Sequence, residues 1–250
     1  MIKKGKKVKT NVFILVALFV CSFYYCMDLV TGTECNEKDI QIKKVDLTLP
    51  EPEKQKNKEY KTTIVLDAGH GGMDSGSISE SGVYEKDIAL DITLKVGEEL
   101  SKNGINVIYT RTADEQDWNG EVTDLQNRID IAVENESDYF ISIHLNSSEY
   151  NDGAKGFEIY TDNRNEEISD LALSIESGLS NLNYTENRGI KLTKEFGYLY
   201  VIDRNPISSL LIELGFITDV NDFTYLNSED GQIKIAQAIS KNLLESVAND

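Results

Sequence analysis

From Thr62 onward the chain switches repeatedly between two hydrophobic periods. "TTIVLD" (Thr62–Asp67), "INVIYT" (Ile105–Thr110), "YFISIH" (Tyr139–His144), "GFEIY" (Gly156–Tyr160) and "LLIELGF" (Leu210–Phe216) are short runs rich in β-branched, aromatic and leucine side chains. Such runs predict buried strands. Between them apolar residues return at helical spacing, first as Ile88, Leu90, Ile92, Val96 and Leu100 within Glu85–Gly104, where Gly104 is the stop signal. Further helices are predicted over Thr123–Glu136, Glu167–Leu182 and Gly231–Ala248. Alternation of this kind predicts one α/β domain over residues 62–250, a mainly parallel or mixed twisted sheet with helices on both faces. No internal repeat or second module interrupts it.

The first 61 residues follow another pattern. Lys3, Lys4, Lys6, Lys7 and Lys9 precede the apolar run Val12–Met27, the order of a secretion signal or a signal anchor over residues 1–30. That run is longer than most cleaved signal cores and a little short of the ~20 residues that span a bilayer comfortably, so both readings stay open. An uncleaved anchor is favoured, because no small-x-small cleavage site follows Met27 and the lysines lie before the span. Residues 31–61, polar and carrying Pro50 and Pro52, read as a tether. The expectation is an exported protein, either held at the membrane by its N-terminal segment or secreted.

Charge narrows the partners. The formal net charge is -18, and -22 once residues 1–30 are set aside. Nucleic acid is therefore excluded as an expected partner, and any polyanionic matrix must be met through a local site rather than through the overall field. Cys21 and Cys26 lie in the apolar run and only Cys35 lies outside it, so there is neither a disulfide framework nor a cysteine metal site.

Topology then gathers the reactive residues. In an open α/β sheet, ligands bind beyond the carboxyl ends of the strands, where loops and helix N-termini converge. His70 follows the first strand in "DAGHGG", Glu85 opens the first long helix, His144 closes the third strand, and Glu213 lies near the end of "LLIELGF". All four belong at one edge. Each has a plainer reading when taken singly. His144 would pass as a hydrogen-bonding core residue and Glu85 as a carboxylate favoured by the helix dipole. The Gly-rich loop lacks the Gly-Lys-Ser/Thr of a phosphate loop. Glu213 is harder to dismiss, since a carboxylate among leucines, isoleucine and phenylalanine costs several kcal/mol unless paired or near a metal. Together the four suit a catalytic zinc site, which takes three ligands from His and Glu, leaves a position for water, and uses a further carboxylate as general base. Glycines beside His70 let the backbone bend and approach a metal closely.

Five ordered motifs, "DAGHGG" (Asp67–Gly72), "EKD" (Glu85–Asp87), "TRTAD" (Thr110–Asp114), "SIHLN" (Ser142–Asn146) and "ELGFITD" (Glu213–Asp219), resemble the zinc-dependent N-acetylmuramoyl-L-alanine amidases of the Amidase_3 family. The resemblance covers Thr62–Val247. It implies that His70, Glu85 and His144 bind Zn2+ and that Glu213 is the catalytic carboxylate. It further implies hydrolysis of the amide between the lactyl group of N-acetylmuramic acid and L-alanine in peptidoglycan. Ala68 stands where the family often has proline, and Asp219 where it often has asparagine. Asn146 and Arg128 stand equally as substrate-positioning and as structural residues. A zinc peptidase acting within the stem peptide and a non-catalytic wall-binding protein are the alternatives. A single catalytic domain on an anchor resembles the germination-specific, spore-cortex members. Only eleven residues, Leu145–Lys155, separate His144 from the next strand, too few for a self-inhibiting helix, so an open site controlled from outside, by localisation, metal supply or an activating protein partner, is expected.

Overall fold

The computed structural model describes residues 62–114, 121–148, 153–162, 164 and 166–248. The expected signal or anchor over residues 1–30 and the expected tether over residues 31–61 lie outside the described residues. Among those described, no helix is long and apolar enough to cross a membrane.

Six strands form one sheet: β1 (Thr63–Ala68), β2 (Asn106–Tyr109), β3 (Tyr139–Asn146), β4 (Phe157–Thr161), β5 (Asn187–Leu192) and β6 (Ser208–Phe216). Their order is β2-β1-β3-β6-β4-β5. The first four in that order run parallel, whereas β4 is antiparallel to β6 and parallel to β5. The sheet is therefore mixed. The helices are α1 (Glu85–Lys102), α2 (Glu121–Glu134), α3 (Glu166–Ser180), the single turns α4 (Thr193–Phe196) and α5 (Tyr200–Asp203), α6 (Val220–Leu226) and α7 (Glu229–Ala248).

Strand alternation sorts side chains onto two faces. Ile64 and Leu66, Tyr139, Ile141, Ile143 and Leu145, Phe157 and Ile159, and Leu210, Ile212 and Leu214 enter the larger core with the apolar sides of α1, α3 and α7. Val65, Phe140 and Leu211 point the other way, into a smaller core closed by Ala132 of α2 and by Val201 and Ile202 of α5. By the same alternation Asp67, Ser142, His144, Glu158 and Glu213 belong to the second face. This parity decides where the chemistry lies.

All five strands and four long helices expected from periodicity are present, with ends shifted by at most two residues, as where β3 runs two residues past His144. Periodicity does not show β5, whose "NRGIKL" has a charged residue and a glycine where alternation needs apolar ones, nor α6. Helix α6 starts at an Asp219 cap whose carboxylate accepts from the backbone N–H groups of Asn221 and Asp222, both at 3.0 Å. Aspartate and asparagine cap about equally well, so the departure at 219 is conservative.

Candidate active site

The parallel strands β1, β3 and β6 present their carboxyl ends at one edge, and the antiparallel β4 presents its amino end there. Register sets one row: His144 pairs with Glu213, and Glu213 with Glu158. Alternation turns all three to the smaller face. The row is a product of the sheet alone.

His70 arrives by a different route. It lies in the loop after β1 with φ 59°, in the left-handed region that non-glycine residues rarely adopt. Two buried arginines hold that conformation. Arg128 of α2 donates through Nη1 to Asp67 Oδ1 (2.7 Å) and to the Ala68 carbonyl (2.9 Å), and through Nη2 to the His70 carbonyl (2.8 Å). Arg111 donates to the carbonyls of Ala68 (3.0 Å), Gly69 (2.8 Å) and Lys86 (2.7 Å). Asp67, otherwise a costly buried anion, also accepts from Thr110 and Ser142 hydroxyls. Burial opposes its ionisation, but Arg128 and these hydroxyls hold its carboxyl below the usual range. Arg128 is thus a framework residue, buried and committed to the loop. Asn146 donates to Glu158 at 2.9 Å and orders the rim.

Glycines leave room where the loop meets the row. A Cβ on Gly69 would lie 2.4–2.6 Å from the His144 ring, and one on Gly76 would lie 2.6 Å from His70 and 2.7 Å from Glu85. Only glycine fits at either position. The loop then caps α1, its Ser77 and Ser75 carbonyls accepting from the N–H groups of Glu85 and Lys86. The Glu85 carboxylate is thereby brought under both imidazoles.

Glu85 Oε1 lies 3.1 Å from His70 Nε2 and 3.1 Å from His144 Nδ1. The ligand atoms of all three residues fall within 4.8 Å of one another. Donors on a tetrahedral zinc, with bonds near 2.0–2.1 Å, stand about 3.3 Å apart, close to the two 3.1 Å contacts that Glu85 makes, so the group suits such an ion. His70 and Glu85 each have an orienting contact. Asp74 Oδ2 is 2.8 Å from His70 Nδ1, which leaves Nε2 for the metal, and the N–H groups of Leu145 and Ser77 donate to the two Glu85 oxygens at 2.9 Å. Burial opposes ionisation of both Glu85 and His70. The imidazoles nevertheless hold the Glu85 carboxyl well below the carboxylate range, while Glu85 and then Asp74 push His70 up to about 9.

Glu213 stands beside the cluster without joining it. Its Oε2 is closed to solvent and has no hydrogen-bond partner among the described residues. Burial raises its carboxyl to about 7; His144 opposes that rise, and Glu85 and Glu158 add to it. A carboxyl poised near neutrality, with a free oxygen beside a metal-ligand set, suits a general base.

Residues 64–245 match Amidase_3, described as N-acetylmuramoyl-L-alanine amidase. The chain belongs to this amidase family. It is 38% identical over 179 residues to the uncharacterized protein YqiI of Bacillus subtilis, covering 71% of this chain and 81% of that one. It is 32% identical to the germination-specific N-acetylmuramoyl-L-alanine amidase of the same organism, over 72% of this chain and 78% of the relative. Two longer amidase relatives are spanned over only 38% and 35% of their lengths. Among solved structures, the CwlD amidase from Clostridioides difficile, determined in complex with the GerS lipoprotein, superposes with a TM-score of 0.69 at 32% identity, covering 76% of this chain and all of that one. The amidase fold and the expected α/β architecture are thereby the same.

Sequence reasoning named His70, Glu85, His144 and Glu213, and the structure brings all four together. It did not single out Asp74, Arg111, Glu158 or Arg188. A signal existed for Arg111, which lies within "TRTAD". Asp74 and Arg188 carry none, since their roles arise from a loop path and a strand irregularity.

Proposed function

We propose that this amidase holds Zn2+ on His70, Glu85 and His144 and cleaves the bond between the lactyl carbonyl of N-acetylmuramic acid and the nitrogen of L-alanine. The observation that carries the reading is the closure of three ligand atoms within 4.8 Å beside the unpartnered oxygen of Glu213. The ion supplies Lewis acidity at the scissile carbonyl and lowers the pKa of the attacking water. Glu213 accepts a proton from that water and donates it to the departing amine, so that water and amide become carboxylic acid and free amine. Asp74 holds His70 in the tautomer that presents Nε2, and the backbone N–H groups of Ser77 and Leu145 hold the Glu85 carboxylate in place.

The setting is proposed as wall and spore-cortex peptidoglycan, reached after export by the N-terminal run and tethered by residues 31–61. Similarity to a germination-specific amidase supports the cortex role. An activating protein is part of the proposal, because a similar amidase was determined with a lipoprotein partner. Between β3 and β4 the described residues contain no helix; residues 149–152 of that loop lie outside them.

Mass spectrometry of digested sacculi and cortex tests the reaction. The expected products are intact stem peptides that begin with alanine, together with metal-free, inactive His144→Ala protein. Shortened stem peptides with an unbroken lactyl amide would instead identify a peptidase.

A further inference from the structure

The antiparallel half of the sheet carries a feature the reaction above does not use. Between β4 and β5 the register shifts: Phe157 pairs with Asn187 and Ile159 with Ile190, so Arg188 and Gly189 together oppose Glu158 alone. Gly189 has φ 82°, and the pair forms a β-bulge. Without it Arg188, two residues before the core-facing Ile190, would share the larger core's face. The bulge turns it to the face of Glu158 and Glu213.

Several contacts fix the side chain there. Arg188 Nε donates to Glu158 Oε2 at 2.9 Å, and the guanidinium lies 5.1 Å from the centre of the Phe216 ring. Its stem crosses Gly156, where a Cβ would meet Cγ and Cδ at 2.8 and 2.9 Å. Glu158 is buried and held from its other oxygen by Asn146 and by the Tyr160 hydroxyl, both at 2.9 Å. Yet the Arg188 side chain remains 37% exposed. Nη1 makes one long contact, 3.4 Å to the Lys155 carbonyl, and Nη2 has no partner among the described residues. Of its five N–H donors three have no partner among the described residues. The neighbouring cation, Lys155, is engaged by Glu186 at 3.1 Å.

We propose that Arg188 is a specificity-determining residue that binds a carboxylate of the stem peptide in a two-point contact, and this rests on the amidase reading of the site. A rigid, half-exposed guanidinium fork suits a planar carboxylate. The reach selects which one. Arg188 stands two strand spacings, about 10 Å, from Glu213, and its side chain extends back toward Glu158. At about 3.5 Å per residue, the free α-carboxylate of the second stem residue lies about 7 Å from the scissile carbonyl. Acidic groups further along the peptide lie beyond the fork.

Two glycopeptides test it, identical muramyl stem fragments whose second-residue α-carboxyl is free or amidated. Binding is measured by titration calorimetry to zinc-loaded Glu213→Gln protein, and turnover to the parent chain. The free carboxylate is expected to bind about tenfold more tightly than the amide, and Arg188→Met to abolish the difference by weakening only the free form. Because that variant leaves Glu158 buried and unpaired, Glu158→Gln with Arg188→Met is made in parallel and each is checked by thermal melting. Arg188→Lys should restore part of the preference. Equal binding of the two peptides to Glu213→Gln protein overturns the assignment of Arg188. Preferential binding with cleavage inside the stem peptide, the lactyl amide staying intact, keeps Arg188 and overturns the amidase reading.

Discussion

Glu213 sits in a regular strand, its direction set by Leu210, Ile212 and Leu214 pointing into the larger core, and its neighbours His144 and Glu158 are set by register. His70 sits in a loop at φ 59°, where no period fixes anything and the conformation is held by Arg111, Arg128, two glycines and Asp74. The strand half is determined collectively, by many apolar side chains of which none is decisive. The loop half is determined by a few specific contacts, each without a substitute. The two halves should therefore answer differently to change: removing one contact breaks the loop half, whereas the strand half yields only when the reacting group itself is removed.

The hardest break should be Gly69→Ala. Its Cβ would lie within 2.6 Å of the His144 ring, so either the ring or the His70 loop must move, and zinc content and turnover are expected to fall together to background. Retained zinc by elemental analysis would show that the loop adapts and that the contrast between the halves is false.

Next in size is Glu213→Gln, expected to lower turnover by about 10²–10⁴ while keeping zinc and fold. Its pH behaviour sharpens the point. The folded carboxyl lies at about 7, above its unfolded value, so ionisation of this group opposes folding and the loss grows as pH rises between the two values. Metal-free Glu213→Gln should thus melt higher than the parent at pH 8, with the gap closing on acidification. A bound cation favours the ionised form, so turnover of the loaded parent should fall about tenfold per pH unit on an acid limb lying below 7. Loss of zinc from a normally melting Glu213→Gln protein would make Glu213 a ligand.

A smaller effect should follow Asp74→Asn in the loop half. It keeps the shape but weakens the hold on His70 Nδ1, and zinc affinity is expected to drop by about 10–100-fold in competition with a chelator. The least effect should come from Ile212→Val beside Glu213. This truncation of a fully buried side chain should cost about 0.5–1.5 kcal/mol in denaturant unfolding and leave zinc affinity and turnover unchanged. If Ile212→Val disturbs the metal as much as Asp74→Asn, the strand half is no more robust than the loop half.

Five strands, four long helices and the four candidate site residues were legible in the chain. Burial imposes period 2 on a strand and period 3.6 on a helix, and glycines with a lone histidine mark a loop that approaches a ligand. The sequence by itself determined the alternation, the edge at which His70, Glu85, His144 and Glu213 meet, and the strand parity that His144 shares with Ser142 and Glu213 with Leu211. Only the tertiary structure decided that β4 runs antiparallel and places Glu158 beside Glu213, that Arg111 and Arg128 serve the loop backbone, that Asp74 chooses the nitrogen of His70, and that a bulge turns Arg188 toward the site. The division is physical. Periodicity is a local consequence of burying one face of an element, whereas register, strand direction and the partner of a long polar side chain depend on residues such as Asp67 and Arg128, 61 positions apart, that no local period connects.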